Sequence, residues 1–532
     1  MSDVQRTYDG RLHGRLSGSR RKRRRRGGFP FKRLMFLLVL ILVGAGYWIT
    51  RDTHPVHHLI PAGQKYSVVM RDILSHRAAL ADSAVWETLP PELGSGRIIE
   101  ALSSELALPE WMLRNIIVDD CYLSGNDLRQ FDDVLCVAKM THIGRLVEQL
   151  HWVTPRIRRD TAGGLGLRTF ANASLYYAVR GRILLFSPSR DALVEALTLQ
   201  PANMLTEEAF AEAFARTEGE NVAGAVTFSP DDPFGGAFAD FRFRLWLDKT
   251  QARVRCNATL REEEHERLAP LLEGVTPKRL TAPPPGLVAV SADLGKPLRD
   301  VWLALGKVLV AEDEESLFSE AKLADWESWP EETAPEVAHL AAAVLGPLGP
   351  GWRVALHDVD LEEWFPVPVL YGTFDVADGA AFIEDLPRAP EQALPWEPYP
   401  RYDAEWEMLR IPMIAGPSLE PAVAVYGDGL LVSTSSQSAT EMLGKPPVLR
   451  PLEQPGNLYV RVQPADSVRT IEETLTFLVR ENILQEQALE DYQAFFGNWI
   501  YSAQRVSEAA GLLGYENGEF QADLVVICSL LN

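Results

Sequence analysis

Few side chains in this sequence are spaced for chemistry. Asp119 and Asp120 stand side by side after a β-like run, and a pair of carboxylates is what acid–base hydrolysis of a glycosidic bond uses. The plainer reading is a strand end or turn, where Asp bonds its own backbone. Ser319-Glu320-Ala321-Lys322 matches S-x-x-K, which sets a Ser nucleophile one helical turn from a Lys base. Neither S-D-N nor K-T-G follows it, and the surrounding EDEESLFSEAK reads as a solvated acidic helix face. His54, His57 and His58 form HPVHH, a spacing at which imidazoles hold Zn²⁺ or Cu²⁺. Asp52 is the only carboxylate nearby, and the run reads more simply as a stalk. Glu262, Glu263, Glu264 and His265 lack the H-E-x-x-H spacing of a zinc helix. Gly163-Gly164-Leu165-Gly166 lacks the P-loop Lys and the dinucleotide-binding spacing, and G-x-S-x-G is absent. No catalytic, cofactor or metal site is assigned, and Asp119 and Asp120 remain the acidic candidates.

A binding role rests on other residues. Trp396, Tyr399, Tyr402 and Trp406 are concentrated among prolines in PWEPYPRYDAEW. Aromatic faces on a loop stack on sugars or anchor a partner protein, and equally they close the end of a core. Asn172-Ala173-Ser174 and Asn257-Ala258-Thr259 match the glycosylation pattern, which carries meaning only in a eukaryotic secretory chain.

The elements that position these residues occur twice. Ala178 to Leu197 reads AVRGRILLFSPSRDALVEAL, and Ala424 to Leu443 reads AVYGDGLLVSTSSQSATEML, with nine identities in twenty and no gap. Each predicts a strand, a Gly turn, a second strand and a helix capped by a Ser-x-Ser element, at Ser187/Ser189 and Ser433/Ser435. Further matches follow in the same order. Trp111 in LPEWMLRNIIVDD answers Trp352 in LGPGWRVALHDVD, and Val134-Leu135 answers Val369-Leu370. Asn221 in NVAGAVTF answers Asn457 in NLYVRVQP, and ARVRCNATL around Cys256 answers LVVICSLLN around Cys528. Collinear matches of this kind indicate an internal repeat. Runs such as FRFRLWLD and ARVRCNATL flank a Lys249-Thr250-Gln251 turn, a hairpin pattern. The expected fold class is α+β, a duplicated domain of antiparallel sheets packed with helices.

Charge divides the chain. Residues 1–33 carry twelve Lys/Arg and two Asp/Glu, whereas the rest carries 40 and 71, a net of −31. An acidic body disfavours nucleic acid and anionic lipid as its partners. Residues 34–50, LMFLLVLILVGAGYWIT, are uncharged and span roughly 25 Å as a helix, close to a bilayer core. The run Arg20 to Arg26 precedes them, so the positive-inside rule sets the N-terminus in the cytoplasm and carries the C-terminal bulk across. A cleaved signal peptide is the rival reading, with Gly44-Ala45-Gly46 as its processing site. Lys and Arg also attract anionic lipid or nucleic acid, a role the topology makes unnecessary.

Four cysteines in 532 residues are too few for a disulfide scaffold. Cys121 and Cys136 are able to pair in an oxidising compartment, closing a loop worth roughly 3 kcal/mol. Cys256 and Cys528 read as small buried residues.

The opening of the acidic body, IPAGQKYSVVMRDILSHRAALADSAVWETLPPE, has a Pro-led strand, an Asp, a helix and a small-x-x-Trp-x-x-Leu ending at Pro61, Asp72, Ser83, Trp86 and Leu89. With the G-x-x-L-L-x-S elements at Gly427 to Ser433 and Gly181 to Ser187, it resembles uncharacterised single-pass bacterial envelope proteins. The resemblance implies an envelope location and no chemistry.

The expected organisation is a basic cytoplasmic tail (1–33), a transmembrane helix in the bacterial inner membrane (34–50), a stalk (51–62), a first periplasmic repeat (63–265), a Pro-rich linker around Ala282-Pro283-Pro284-Pro285 (266–285) and a second repeat (286–532). The expected function is non-catalytic binding of another envelope protein. An envelope hydrolase with a dispersed carboxylate site, and a solute- or lipid-binding domain with its cleft between the repeats, are the alternatives.

Overall fold

A computed structural model describes residues 54–71, 83–85, 117–128, 133–149, 157–162, 165–170, 175–232, 234–308, 346–361, 365–385, 401–411, 419–446 and 450–528, with Arg51 and eight positions between 35 and 48. Two compact units are present, Met1–Arg51 and Asp52–Asn532. In the first, the described positions of 34–50 are helical, and among the described residues no helix is long and apolar enough to cross a membrane. Trp111, Ser319 to Lys322, Trp396 and Tyr399 lie outside the described residues, as does the side chain of Asp119.

The second unit begins with a 3-10 turn at Val56–Leu59. Its elements then run β1 (Tyr66–Met70), β2 (Ile117–Gly125), β3 (Leu135–Met140), α1 (His142–Gln149), β4 (Ile157–Ala162), β5 (Leu165–Phe170), β6 (Tyr176–Arg180), β7 (Ile183–Ser187), α2 (Arg190–Thr198), α3 (Glu207–Ala213), β8 (Val222–Thr227), β9 (Phe238–Leu247), β10 (Gln251–Leu260) and α4 (Glu262–Leu272). They continue with β11 (Val288–Asp293), α5 (Leu298–Val308), β12 (Leu348–Asp360), β13 (Val367–Val376), α6 (Gly379–Asp385), β14 (Arg401–Asp403), β15 (Met408–Arg410), β16 (Ala422–Tyr426), β17 (Gly429–Ser433), α7 (Ser436–Gly444), β18 (Leu458–Val462), α8 (Pro464–Arg480), α9 (Gln487–Ala503), β19 (Val506–Glu516) and β20 (Glu519–Cys528). The fold is mostly antiparallel sheet with several helices, an α+β arrangement.

The strands form one 20-stranded sheet. In the first ten, the spatial order is β4-β5-β6-β7-β3-β2-β1-β8-β9-β10. In the second ten it is β14-β15-β16-β17-β13-β12-β11-β18-β19-β20. The two orders are the same, strand for strand. β10 and β20 then pair antiparallel with each other, from Gln251↔Ile527 to Thr259↔Glu519, and join the halves edge to edge.

Local chemistry explains why the two halves share this pattern. In the β6–β7 hairpin the turn begins at Gly181 (φ 62°), and in β16–β17 at Gly427 (φ 58°), both in the left-handed region that Gly adopts without a Cβ penalty. The hydroxyl of Ser187 accepts the Ser189 N–H at 3.0 Å, and that of Ser433 accepts the Ser435 N–H at 3.1 Å. Ser189 and Ser435 in turn cap α2 and α7, accepting from the N–H groups of Ala192 and Ser438. Asn221 and Asn457 are buried and play one role twice. Their backbone N–H groups donate to Leu245 and Leu513, and their carbonyls accept from Arg71 and Asp293. Their side-chain oxygens accept from the N–H of Leu247 and Tyr515.

Helices α2 and α7 cover one face of the sheet. Leu193 and Ala196 of α2 pack with Val69, Val137 and Leu185, and Ala439 and Met442 of α7 pack with Ala289, Ala355 and Leu431. On the second half, Leu298 of α5 and Phe382 and Ile383 of α6 close over Phe374, Val423 and Leu430. The Pro-rich segment is not a free spacer. Residues 278–282 exchange backbone hydrogen bonds with 450–456, and the carbonyl of Pro284 accepts from Arg461 at 3.0 Å.

At the seam, Asp523 accepts from Arg253 Nε at 2.7 Å and from Arg255 Nε at 3.0 Å. Burial pushes its carboxyl up, but the two guanidinium groups outweigh this and hold it below the usual carboxylate range. A depressed folded-state pKa contributes stability above the unfolded value of about 3.9 and loses it as the pH falls further. Urea midpoints from pH 7 to pH 3 should therefore show wild type above Asp523→Asn at neutral pH, the gap closing below about pH 4. A gap that does not change with pH would remove the carboxylate from the seam's energetics. Asn457→Ala leaves the Tyr515 N–H and the Thr276 carbonyl without their partner, and should cost about 2 kcal/mol in the same assay.

Candidate functional site

The acidic candidate is committed to structure. Asp120 lies in β2, and its Oδ2 accepts from Arg71 Nη1 at 3.0 Å and from the Tyr122 hydroxyl at 3.2 Å. Arg71 follows β1 and is 3% exposed, too buried to stand unpaired. Its Nε donates to Glu220, 2% exposed, at 3.1 Å, and its Nη2 to the carbonyl of Phe214 at 2.7 Å. Arg244 Nε lies 3.7 Å from the other oxygen of Glu220. This network joins β1, β2, β9 and the segment after α3. A carboxylate held by two donors is a poor general base, because proton uptake breaks bonds already made.

The aromatic stretch is divided. Tyr402 lies on β14 and is 59% exposed. Trp406 sits in the β14–β15 turn and packs against the cluster that includes Met408 and Ala424. Its role there is core closure. His57 and His58 belong to the 3-10 turn, with ring centroids 4.6 Å apart, and His57 stacks 5.8 Å from Phe210. Burial and then the neighbouring His58 lower the His57 pKa. Among the described residues no group of three His, Cys, Asp or Glu is placed to hold a metal ion. Glu262, Glu263 and Glu264 open α4, where carboxylates favour the positive end of the helix, and Glu264 pairs with Arg267 at 2.8 Å. Cys121 and Cys136 do come together, with their sulfurs 2.9 Å apart.

Among the described residues the largest exposed aromatic feature lies on α9, away from the aromatic stretch at 396–406. Between β18 and β19 the chain inserts the hairpin α8–α9, where the first half connects β8 to β9 through 228–237. α8 packs on β19 and β12, burying Val468 and Phe477. α9 packs on α8 and presents Phe495 and Trp499, 80% and 76% exposed, one helical turn apart. Phe496 and, in the connecting turn, Ile483 are also exposed. Phe496 meets Tyr492 at a tilt and Phe495 edge to face. Exposed acids border this face at Glu481, Glu486, Glu490 and Asp491. An open groove of about 460 Å³ runs along α8, lined by Leu361, Arg469, Glu472, Glu473, Thr476, Phe477 and Arg480. An aromatic patch with a charged rim is the usual composition of a protein-binding surface. The signal available beforehand was the i, i+4 spacing of Phe495 and Trp499, which reads equally well as a buried helix stripe.

The Arg71 network yields a stability prediction. Arg71→Met removes the cation hydrogen-bonded to the buried Glu220, leaving only the more distant Arg244, and should cost about 3–5 kcal/mol by urea unfolding. The double variant with Glu220→Leu should recover most of that loss. No recovery would mean that the guanidinium acts through the Phe214 carbonyl instead.

No family model and no curated protein matches the chain. Solved structures similar to parts of it include TP0453 in crystal form I, at 7% identity over 40% of this chain and 81% of that one, with a TM-score of 0.26. Crystal form III of TP0453 matches at 6% identity over 42% and 88%, also with a TM-score of 0.26. Likeness at this level carries no argument about what the protein does.

Proposed function

We propose that this chain is a membrane-anchored, extracytoplasmic protein of the bacterial envelope whose duplicated domain binds another envelope protein without catalysis. The observation that carries the binding role is the exposed Phe495/Trp499 face of α9. Leaving two large aromatics in water forgoes their burial, about 1.5–3 kcal/mol for a side chain of Phe size, and a partner restores that gain. The placement rests on the basic run before residues 34–50, which directs the acidic body across the membrane. The duplication rests on the matched strand order and the two equivalent asparagines. The hydrolase alternative is disfavoured because Asp120 is held by Arg71 and Tyr122. The cleft alternative is disfavoured because the halves meet as paired strands, β10 on β20.

The test is cross-linking of the full-length protein in intact cells, followed by mass spectrometry of what co-purifies. Phe495→Asp with Trp499→Asp should abolish a reproducible protein partner while leaving the thermal midpoint unchanged, since both side chains are exposed. A partner that survives the double substitution would exclude α9 as the surface.

A further inference from the structure

We propose that Cys121 and Cys136 are oxidised to a disulfide while the first half folds, and that the closed bond locks β2 to β3. The two residues lie on adjacent antiparallel strands, where Cys121 pairs with Ala138 and Leu123 with Cys136. This register places both side chains on the same face of the sheet, on a diagonal. The ladder is irregular between Ile117 and Cys121, and such a break re-aims the side chains beside it. The two sulfurs are unbonded and stand 2.9 Å apart, within about 1 Å of a disulfide's length. Both residues are buried, 2% and 1% exposed, beside Ala138, Met70, Leu123 and Phe186.

The second half shows that the fold does not require two thiols here. Its strands place Trp352 opposite Ala292 as Cys121 is opposite Met70, so the position accepts a large apolar side chain. The loop between the cysteines is already fastened, since Asp133 accepts the N–H groups of Asn126 and Asp127 and Asn126 accepts the Lys65 N–H. These bonds keep the described ends of the loop together, and the two strands accommodate the sulfurs side by side.

The chemistry balances with an oxidant that itself carries a disulfide and works by thiol–disulfide exchange. One cysteine thiolate attacks the oxidant's disulfide, forming a mixed disulfide and releasing the oxidant's first thiol. The second cysteine attacks the protein sulfur of that mixed bond, and the oxidant's second thiol leaves. Two protein thiols become one disulfide, one oxidant disulfide becomes two thiols, and the two protons pass to the oxidant. The order follows from burial. Both side chains are buried in the folded protein and out of reach of an oxidant, and burial, with Cys121 beside it, holds the Cys136 thiol well above its usual range. Oxidation therefore precedes closure of the core, and the finished bond is shielded from reductant.

In the cell the bond depends on the extracytoplasmic placement proposed above, so the test separates the two. Cells making the full-length protein are quenched with acid, denatured and labelled with a maleimide polyethylene glycol before and after reductant. The expected result is two labels before reductant, on Cys256 and Cys528, and four after it. Cys121→Ser and Cys136→Ser should each give three labels in both conditions, because each frees the partner thiol. If all four thiols label before reductant, detergent-purified protein is unfolded and refolded in a glutathione redox buffer. A Cys121–Cys136 cross-linked peptide there upholds the pairing and rejects the placement. Glutathione adducts on both cysteines, or pairing with Cys256 or Cys528, overturns the proposal.

Discussion

The rest of the molecule depends on the ladder between β10 and β20. An edge strand presents a row of unpaired N–H and C=O groups that invite association. Each half, taken alone, would end in a long edge at β10 or β20, each ten residues long. By pairing these strands with each other the chain covers both. The edges left at the far ends are of another kind. β14 has three residues, and β4 carries the exposed Arg158 and Arg159. Short strands and charged side chains are the features by which sheets resist edge-to-edge aggregation. The seam also carries an ion-pair cluster, with Arg253 and Arg255 from one half closing on Asp523 from the other.

The two halves share a scaffold and differ in what is built on it. Asn221 and Asn457 make equivalent bonds, so the start of β8 and of β18 is set in the same way. Around the first asparagine the chain buries Arg71 with Glu220, whereas around the second it places Lys278 against Asp293 at 2.9 Å nearer the surface. A buried cation needs several partners and fixes several elements at once; a surface pair fixes little. The first half thus carries the rigid polar core and the thiol pair. The second half carries the α8–α9 hairpin, the element with the most exposed aromatic surface among the described residues.

That distribution separates the buried polar network of the first half from the exposed aromatic hairpin of the second. Among the described residues α9 packs mainly on α8, which leaves Phe495 and Trp499 exposed. The exposed acids of this hairpin, Glu481, Glu486, Glu490 and Asp491, share the negative charge of the acidic body.

What sequence determined by itself was local. The Gly181 and Gly427 turns, the Ser189 and Ser435 caps, and the β9–β10 hairpin all depend on contacts a few residues apart, and each was readable from its own segment. The likeness between the two twenty-residue segments was readable for the same reason, because such segments preserve these short-range signals. Register across the halves was not: paired strands put Trp352 level with Cys121, whereas sequence matching set it against Trp111. Only the tertiary structure decided the fate of isolated side chains. Asp120 became an ion-pair partner because Arg71, 49 residues away, is buried beside it. Trp406 turned inward while Tyr402, four residues earlier, stayed in water. The apolar stripe of α9 was left uncovered because no other element folds over it in the contacts described, and a stripe's period does not reveal whether a partner lies against it. Burial is a property of what surrounds a residue, so it is set by the whole chain and not by the residue's neighbours in sequence.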